Sequence, residues 1–282
     1  MVAKCPTAPH VVTMSVPKTA VMVVVAVLTI TLSIRSVGRR YLFPRQEIAV
    51  IVPPPSVEVW AFRASDGVTV HALAVPGGKH GPVVVHFHNN RETMVEPLWL
   101  ARWLASRGLD VILAEYRGYG LSKSGTAPTE NGLYLDAEAT LNELARRGYD
   151  SERVILWGTS LGSGVAAEMA RRHRGAALVL VSPYTSIPDL VRERAGVSLP
   201  EVLLPDRFDI ASKASLIRIP TLIIHGDADE VVPFSMGARL ATLIVGSTFV
   251  RITAGRHGNL FALGGEPLLD RISSFAVSFQ ST

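Results

Sequence analysis

Gly158-Thr159-Ser160-Leu161-Gly162 fits the pattern G-x-S-x-G. Its glycines let a chain pass from strand into helix so tightly that the serine hydroxyl stands exposed at the sheet edge. The string alone carries little weight, so its surroundings must carry the reading. RVILWG (153–158) before it is strand-like, and GSGVAAEMA (162–170) after it offers small residues that let a helix pack close behind the serine. A serine hydroxyl is a poor nucleophile without a base, so a histidine held by a carboxylate must accompany it. In a strand-serine-helix arrangement of this type the acid and then the histidine follow the serine along the chain.

Of eight histidines, only His173, His225 and His257 follow Ser160. His173 ends the helix after the serine and reads as a cation at its C-terminus. His225, inside the strand TLIIHG, reads as a packing residue. His257 lies in TAGRHGNLF, a Gly-flanked loop past a strand, where ligand sites of open parallel sheets gather, and is the candidate base. For the acid, HGDADEVVP (225–233) offers Asp227, Asp229 and Glu230. Asp229 lies deep enough in the loop to reach a histidine arriving from the next strand; Asp227 ranks second and otherwise reads as an Asx-turn. The oxyanion of acyl transfer needs N–H donors, and these are expected from Leu161 and from Asn90, in the loop after HFH. Asn89 and Tyr184 are the polar candidates for the substrate pocket. No metal or organic cofactor is needed for this chemistry.

The elements that must position these residues follow from periodicity. VEVWAF and VTVHALAV flank Asp66-Gly67 and read as a hairpin. Continuous apolar runs at 83–88, 110–116, 153–158, 177–182, 221–226 and 249–253 read as buried parallel strands, with helical spacing at 94–108, 133–148, 161–173 and 267–279. Alternating strands and helices imply a mostly parallel sheet covered on both faces, the hairpin forming an antiparallel edge. The 38 residues of 183–220 have room for a short helical flap but not for a large lid.

Composition excludes other classes. The chain has 282 residues, 48% hydrophobic and 18% charged, the profile of a globular domain. Residues 1–50 hold six basic side chains and one acid, leaving 22 basic and 23 acidic residues in 51–282. The body is therefore near neutral and offers no nucleic-acid-binding face. The only cysteine is Cys5, so neither an intrachain disulfide nor a multi-thiolate zinc site can form. Thr19 to Ile34 is an uncharged run of 16 residues between Lys18 and Arg35. It reads as a transmembrane signal anchor over 19–37, with a cleaved signal peptide as the competitor. The arginines after the run favour a cytoplasmic body on a single-pass membrane protein. The expected organisation is thus an N-terminal tail (1–18), the anchor (19–37), an extended Pro-rich linker (38–56) and a catalytic domain (57–282).

YRGYGLS (116–122), GTSLGSG (158–164), SPYTSIPDL (182–190), DRFDIASKASLIRIPTLIIHGDADEVVPF (206–234) and GRHGNLF (255–261) together resemble the α/β-hydrolase superfamily, over about residues 57–280. More narrowly they resemble its small, often membrane-tethered serine hydrolases of the α/β-hydrolase domain-containing type. The resemblance implies a Ser160, Asp229, His257 triad and hydrolysis of acyl esters or thioesters, including lipids and acylated proteins. Relatives usually carry His-Gly-Asn after the third strand, where this chain has His88-Asn89-Asn90. The alternatives are a peptidase of prolyl-peptidase type and a membrane-tethered binding protein without activity. A serine nucleophile argues against dehalogenase or epoxide hydrolase chemistry, which needs an attacking carboxylate.

Overall fold

The structure, a computed structural model, describes residues 18–44, 54–78, 81–123 and 126–279. The expected tail before Lys18, and residues 45–53 of the expected linker, lie outside the described residues.

Eight strands form one sheet: β1 (Glu58–Arg63), β2 (Thr69–Val75), β3 (Val83–Phe87), β4 (Asp110–Ala114), β5 (Val154–Thr159), β6 (Ala177–Val181), β7 (Thr221–Gly226) and β8 (Thr248–Ile252). Their spatial order is β1-β2-β4-β3-β5-β6-β7-β8. The β1–β2 and β2–β4 pairs are antiparallel, and every other pair is parallel. Strands β3 to β7 are buried at every position or nearly so, as a sheet covered on both faces requires.

Alternate residues face alternate layers. Val83, Val85 and Phe87 pack with α3 (Glu130–Arg146), α4 (Leu161–Arg171) and α6 (Phe234–Leu243). Val84, Ile155 and Trp157 pack with α2 (Leu98–Ala105) and α7 (Leu260–Val277). The flap holds one helix, α5 (Ile187–Ala195), capped by the Ser186 hydroxyl, which accepts from the Asp189 N–H. The chain leaves β3 toward β4 on one side and reaches β5 on the other. The C-terminal end of β3 is therefore the point where strand order reverses, and a crevice opens there.

The N-terminal segment differs from expectation. A helix, α1, runs Lys18–Leu42, so residues 38–42 are helical rather than extended. Among the described residues no helix is long and apolar enough to cross a membrane, which removes the single-pass anchor and the cytoplasmic placement that went with it. The physical reason is legible in α1. Its uncharged stretch spans roughly 24 Å at about 1.5 Å per residue, short of a ~30 Å hydrocarbon core. Its next turns carry Arg35, Arg39 and Arg40, and the last of them docks on the body through Arg39 and the Phe43 that follows. Arg39 Nε donates to buried Asp206 (2.6 Å), and Phe43 is buried edge-on against Phe208 at 6.2 Å between ring centres.

Two buried ionic clusters tie the layers together. In the YRGYGLS segment, Arg117 donates to Asp136 of α3 through Nε and Nη2 (3.0 and 2.8 Å) and to Asp66 of the hairpin turn through Nη1 (2.5 Å). Glu168 of α4 accepts from Arg171, Arg172 and Lys213. Burial alone would raise the Glu168 carboxyl; the hydrogen bonds from Arg171, Lys213 and Arg172 outweigh it and bring the pKa to about 2.

Arg117→Ala leaves Asp136 buried without its partner, so a loss of about 3–5 kcal/mol is expected in guanidinium unfolding. Glu168 carries a second expectation. Its folded pKa is below the usual 4.5, so its contribution is complete above that value and fades as pH falls toward about 2. The melting temperature should drop between pH 5 and pH 2. Glu168→Gln should be less stable at neutral pH by on the order of 2 kcal/mol and show a shallower drop.

Candidate active site

Ser160 sits between β5 and α4 with φ 50° and ψ −116°, a conformation that L-residues rarely adopt. A Cβ at Gly158 would run into the backbone of Gly162, and one at Gly162 into the carbonyls of Phe87 and His88, so both glycines are required by close approach. The bend is held by Ser160 N–H donating to Val181 O (2.9 Å) and Ser163 Oγ donating to Ser160 O (2.6 Å). Tyr184, expected to line a substrate pocket, is instead buried at 1% exposure. Its hydroxyl donates to Leu161 O (3.1 Å) and props the first turn of α4.

The sheet brings His257 and Asp229 to this bend. Ser160 Oγ and His257 Nε2 are 3.1 Å apart, and His257 Nδ1 lies 2.8 Å from Asp229 Oδ2. Ionised carboxylate oxygen only accepts, so Nδ1 carries the proton and Nε2 is left to accept from Ser160. The other oxygen, Asp229 Oδ1, accepts from the N–H groups of Val231 and Val232 (2.9 and 2.8 Å). Burial of Asp229 raises its pKa. The hydrogen bonds from His225, His257 and Val232, with the charge of His257, more than reverse this and hold the carboxyl well below the usual range. Asp227 serves elsewhere: it accepts from Arg251 Nε (2.7 Å) and Ala254 N–H (2.7 Å) at the surface.

His225, read from sequence as packing, is fully buried, with Nε2 donating to Val232 O (3.1 Å) and 3.4 Å from Asp229 Oδ2. It thus borders the acid's loop from below. The HGDAD spacing contained this signal, because a residue four positions before Asp229 across a tight turn returns to its side. Arg194 of α5 donates to the carbonyls of Asp229 (3.1 Å) and Val231 (3.0 Å).

Across the crevice, the segment after β3 rests on a buried pair that the sequence reading passed over. His88 Nδ1 donates to Asn89 O (2.6 Å), and its Nε2 lies 3.0 Å from Glu115 Oε1, with both side chains of the pair 0% exposed. Beside it, His86 is driven down to about 3 by burial first and by the His88 charge second, so it stays neutral. Tyr116 and Tyr119 hydroxyls donate to His88 O (3.1 Å) and Asn90 O (3.2 Å). Among the described residues neither Asn90 N–H nor Leu161 N–H, the two expected oxyanion donors, bonds within the protein. Asn89 is not among the residues with positive φ, so asparagine is accommodated here without backbone strain. Its Oδ1 accepts from Arg91 N–H (2.8 Å). Among the described residues no cluster of His, Cys, Asp and Glu has the arrangement of a metal site.

A cavity of about 1080 Å³ opens between α1 and the stretches 118–123 and 126–128. Arg35, Arg39, Arg40 and Lys123 line it, with Tyr119 on its wall.

The profile of the family described as "Serine aminopeptidase, S33" matches residues 78–207. A Mycobacterium tuberculosis protein named "Uncharacterized protein Rv2307c" is 31% identical over 221 residues, 76% of each chain. "Alpha/beta hydrolase domain-containing protein WAV2" of Arabidopsis thaliana is 29% identical over 236 residues, 74% of each chain. Among solved structures, the Pyrococcus furiosus esterase Pf2001 superposes with a TM-score of 0.69 at 18% identity, covering 85% of this chain and 98% of its own. A Mycobacterium tuberculosis puromycin-hydrolyzing peptidase gives 0.66 at 16% identity, over 82% of this chain and 41% of its own. Sheet order, the strand-serine-helix bend and these likenesses converge on one lineage: the chain belongs to the α/β-hydrolase superfamily.

Proposed function

We propose that this protein is a serine hydrolase that cleaves acyl esters or thioesters through an acyl-enzyme on Ser160. The observation that carries the reading is the continuous relay from Ser160 through His257 to Asp229, with links of 3.1 and 2.8 Å. Ser160 Oγ attacks the acyl carbonyl while His257 Nε2 takes its proton, and Asp229 stabilises the imidazolium that forms. The carbonyl oxygen becomes an oxyanion and accepts from the Leu161 and Asn90 N–H groups. Collapse breaks the bond to the leaving alcohol or thiol, which takes the proton from His257. Water then repeats the sequence on the acyl-enzyme and frees Ser160 with the carboxylic acid.

The relatives' printed names include both an esterase and a peptidase, so the leaving group must be argued from charge. An aminopeptidase needs a carboxylate for the free N-terminus of its substrate. The cavity beside the Asn90 segment is lined by four cations and by no carboxylate among the described residues, which favours an ester.

A fluorophosphonate probe should label the wild type and not Ser160→Ala. Ser160→Ala and His257→Ala should each lower kcat for 4-nitrophenyl esters by at least about 10³-fold with an unchanged unfolding midpoint. A folded wild type that neither labels nor hydrolyses would leave the binding-protein reading instead. The buried pair makes a separate expectation. Glu115→Gln, which loosens the Asn90 donor without touching substrate, should lower kcat about tenfold or more with KM within about twofold.

A further inference from the structure

The cavity between α1 and the stretches 118–123 and 126–128 is charged in a way that the proposed hydrolytic machinery does not use. Leu32, Arg35, Ser36, Arg39, Arg40 and Phe43 recur at intervals of three and four and so share one face of α1, and all six line the cavity. Phe43 and the Arg39–Asp206 pair fix that face to the body. Asp206 is itself held, accepting from the Glu130 N–H (2.8 Å), so Arg39 has a set position. Arg35, Arg40 and Lys123 differ: among the described residues none of them pairs with a carboxylate. Like charges gathered around one concave space repel unless an anion sits among them, and arginine forks match the oxygens of a phosphate.

The cavity also abuts the segment that carries Asn90. Tyr119 lines it and donates to Asn90 O (3.2 Å), while Asn90 Nδ2 donates to Leu42 O (3.1 Å), one residue before Phe43. Asn90, the expected oxyanion donor, is thus braced by Tyr119 of the cavity wall and by the end of α1.

We propose that the cavity lined by Arg35, Arg40 and Lys123 binds a phosphate group on the substrate, so that the enzyme acts on phosphorylated acyl esters. The inference rests on the serine-hydrolase reading and adds the substrate class to it. Arg39, committed to Asp206, contributes field rather than a free fork.

The test compares 1-butyryl-glycerol 3-phosphate with 1-butyrylglycerol on the full-length chain, using release of butyrate. Wild type should favour the phosphorylated ester by about tenfold or more in kcat/KM. In Arg35→Gln/Arg40→Gln and in Lys123→Gln, each checked for an unchanged melting temperature, that ratio should fall toward one, mainly through KM. Raising ionic strength should erode the preference in the wild type. A wild-type ratio near one, or a preference that survives in the double variant, overturns the proposal. If neither ester is hydrolysed, calorimetric titration with glycerol 3-phosphate separates the two readings. Binding that the double variant loses preserves the phosphate site while the hydrolase reading falls. Absence of binding to the wild type removes the site.

Discussion

The site depends on one unfavourable backbone conformation. Ser160 at φ 50° and ψ −116° costs on the order of 1–3 kcal/mol and persists only because everything around it leaves no alternative. The end of β5 and the start of α4 press together at Gly158 and Gly162, and the Phe87 carbonyl of β3 closes the third side. Ser163, Tyr184 and the Val181 carbonyl then satisfy the polar atoms of the turn. The same contact that forces the serine out into the crevice brings the end of β3, with His88 and Asn90 beyond it, against the first turn of α4. The candidate nucleophile and the candidate oxyanion donors are therefore placed by a single packing event rather than by two.

Four histidines around this centre show how environment divides one side chain into separate chemistries. His257, at the loop surface, has an acid on one nitrogen and a hydroxyl on the other, the arrangement of a proton carrier. His88, fully buried, is pinned between the Glu115 side chain and the Asn89 carbonyl and serves as a fixed strut. His86, buried beside it and edge-on to Trp157, is kept neutral. His225 lies under the acid's loop with one N–H toward Val232 O and Asp229. Of the four, three are locked in the interior and His257 alone keeps access to solvent.

Legibility in the sequence followed the range of the interactions involved. TLIIHG and VVVHF read as buried strands because every residue is apolar or nearly so, and the structure gives β7 as Thr221–Gly226 and β3 as Val83–Phe87. The serine, acid and histidine candidates could be named because chain order and loop position restrict them to a few residues, and these lie within hydrogen-bonding distance of one another. The Glu115–His88 pair could not be read: 27 residues separate its members, and each looks like an ordinary polar residue at a strand end. Tyr184 was misplaced because an aromatic with a hydroxyl suits a pocket wall as well as a buried prop, and only packing decides. Helix α6, Phe234–Leu243, went unread because its start, Pro233, resembled the end of a loop. For α1 the apolar run outweighed the arginines that follow it, although Arg39 among them, with Phe43, is what docks on the body.

The hydrogen bonds from Arg194 to the carbonyls of Asp229 and Val231 join the flap helix to the loop that carries the acid. Those two carbonyls bracket the turn whose N–H groups hold Asp229 Oδ1. One arginine therefore spans two pieces of chain far apart in sequence. On the proposed reading, any change in α5 that breaks these two bonds removes a restraint from the turn that positions Asp229, so that the flap's sequence tunes the acid without touching it.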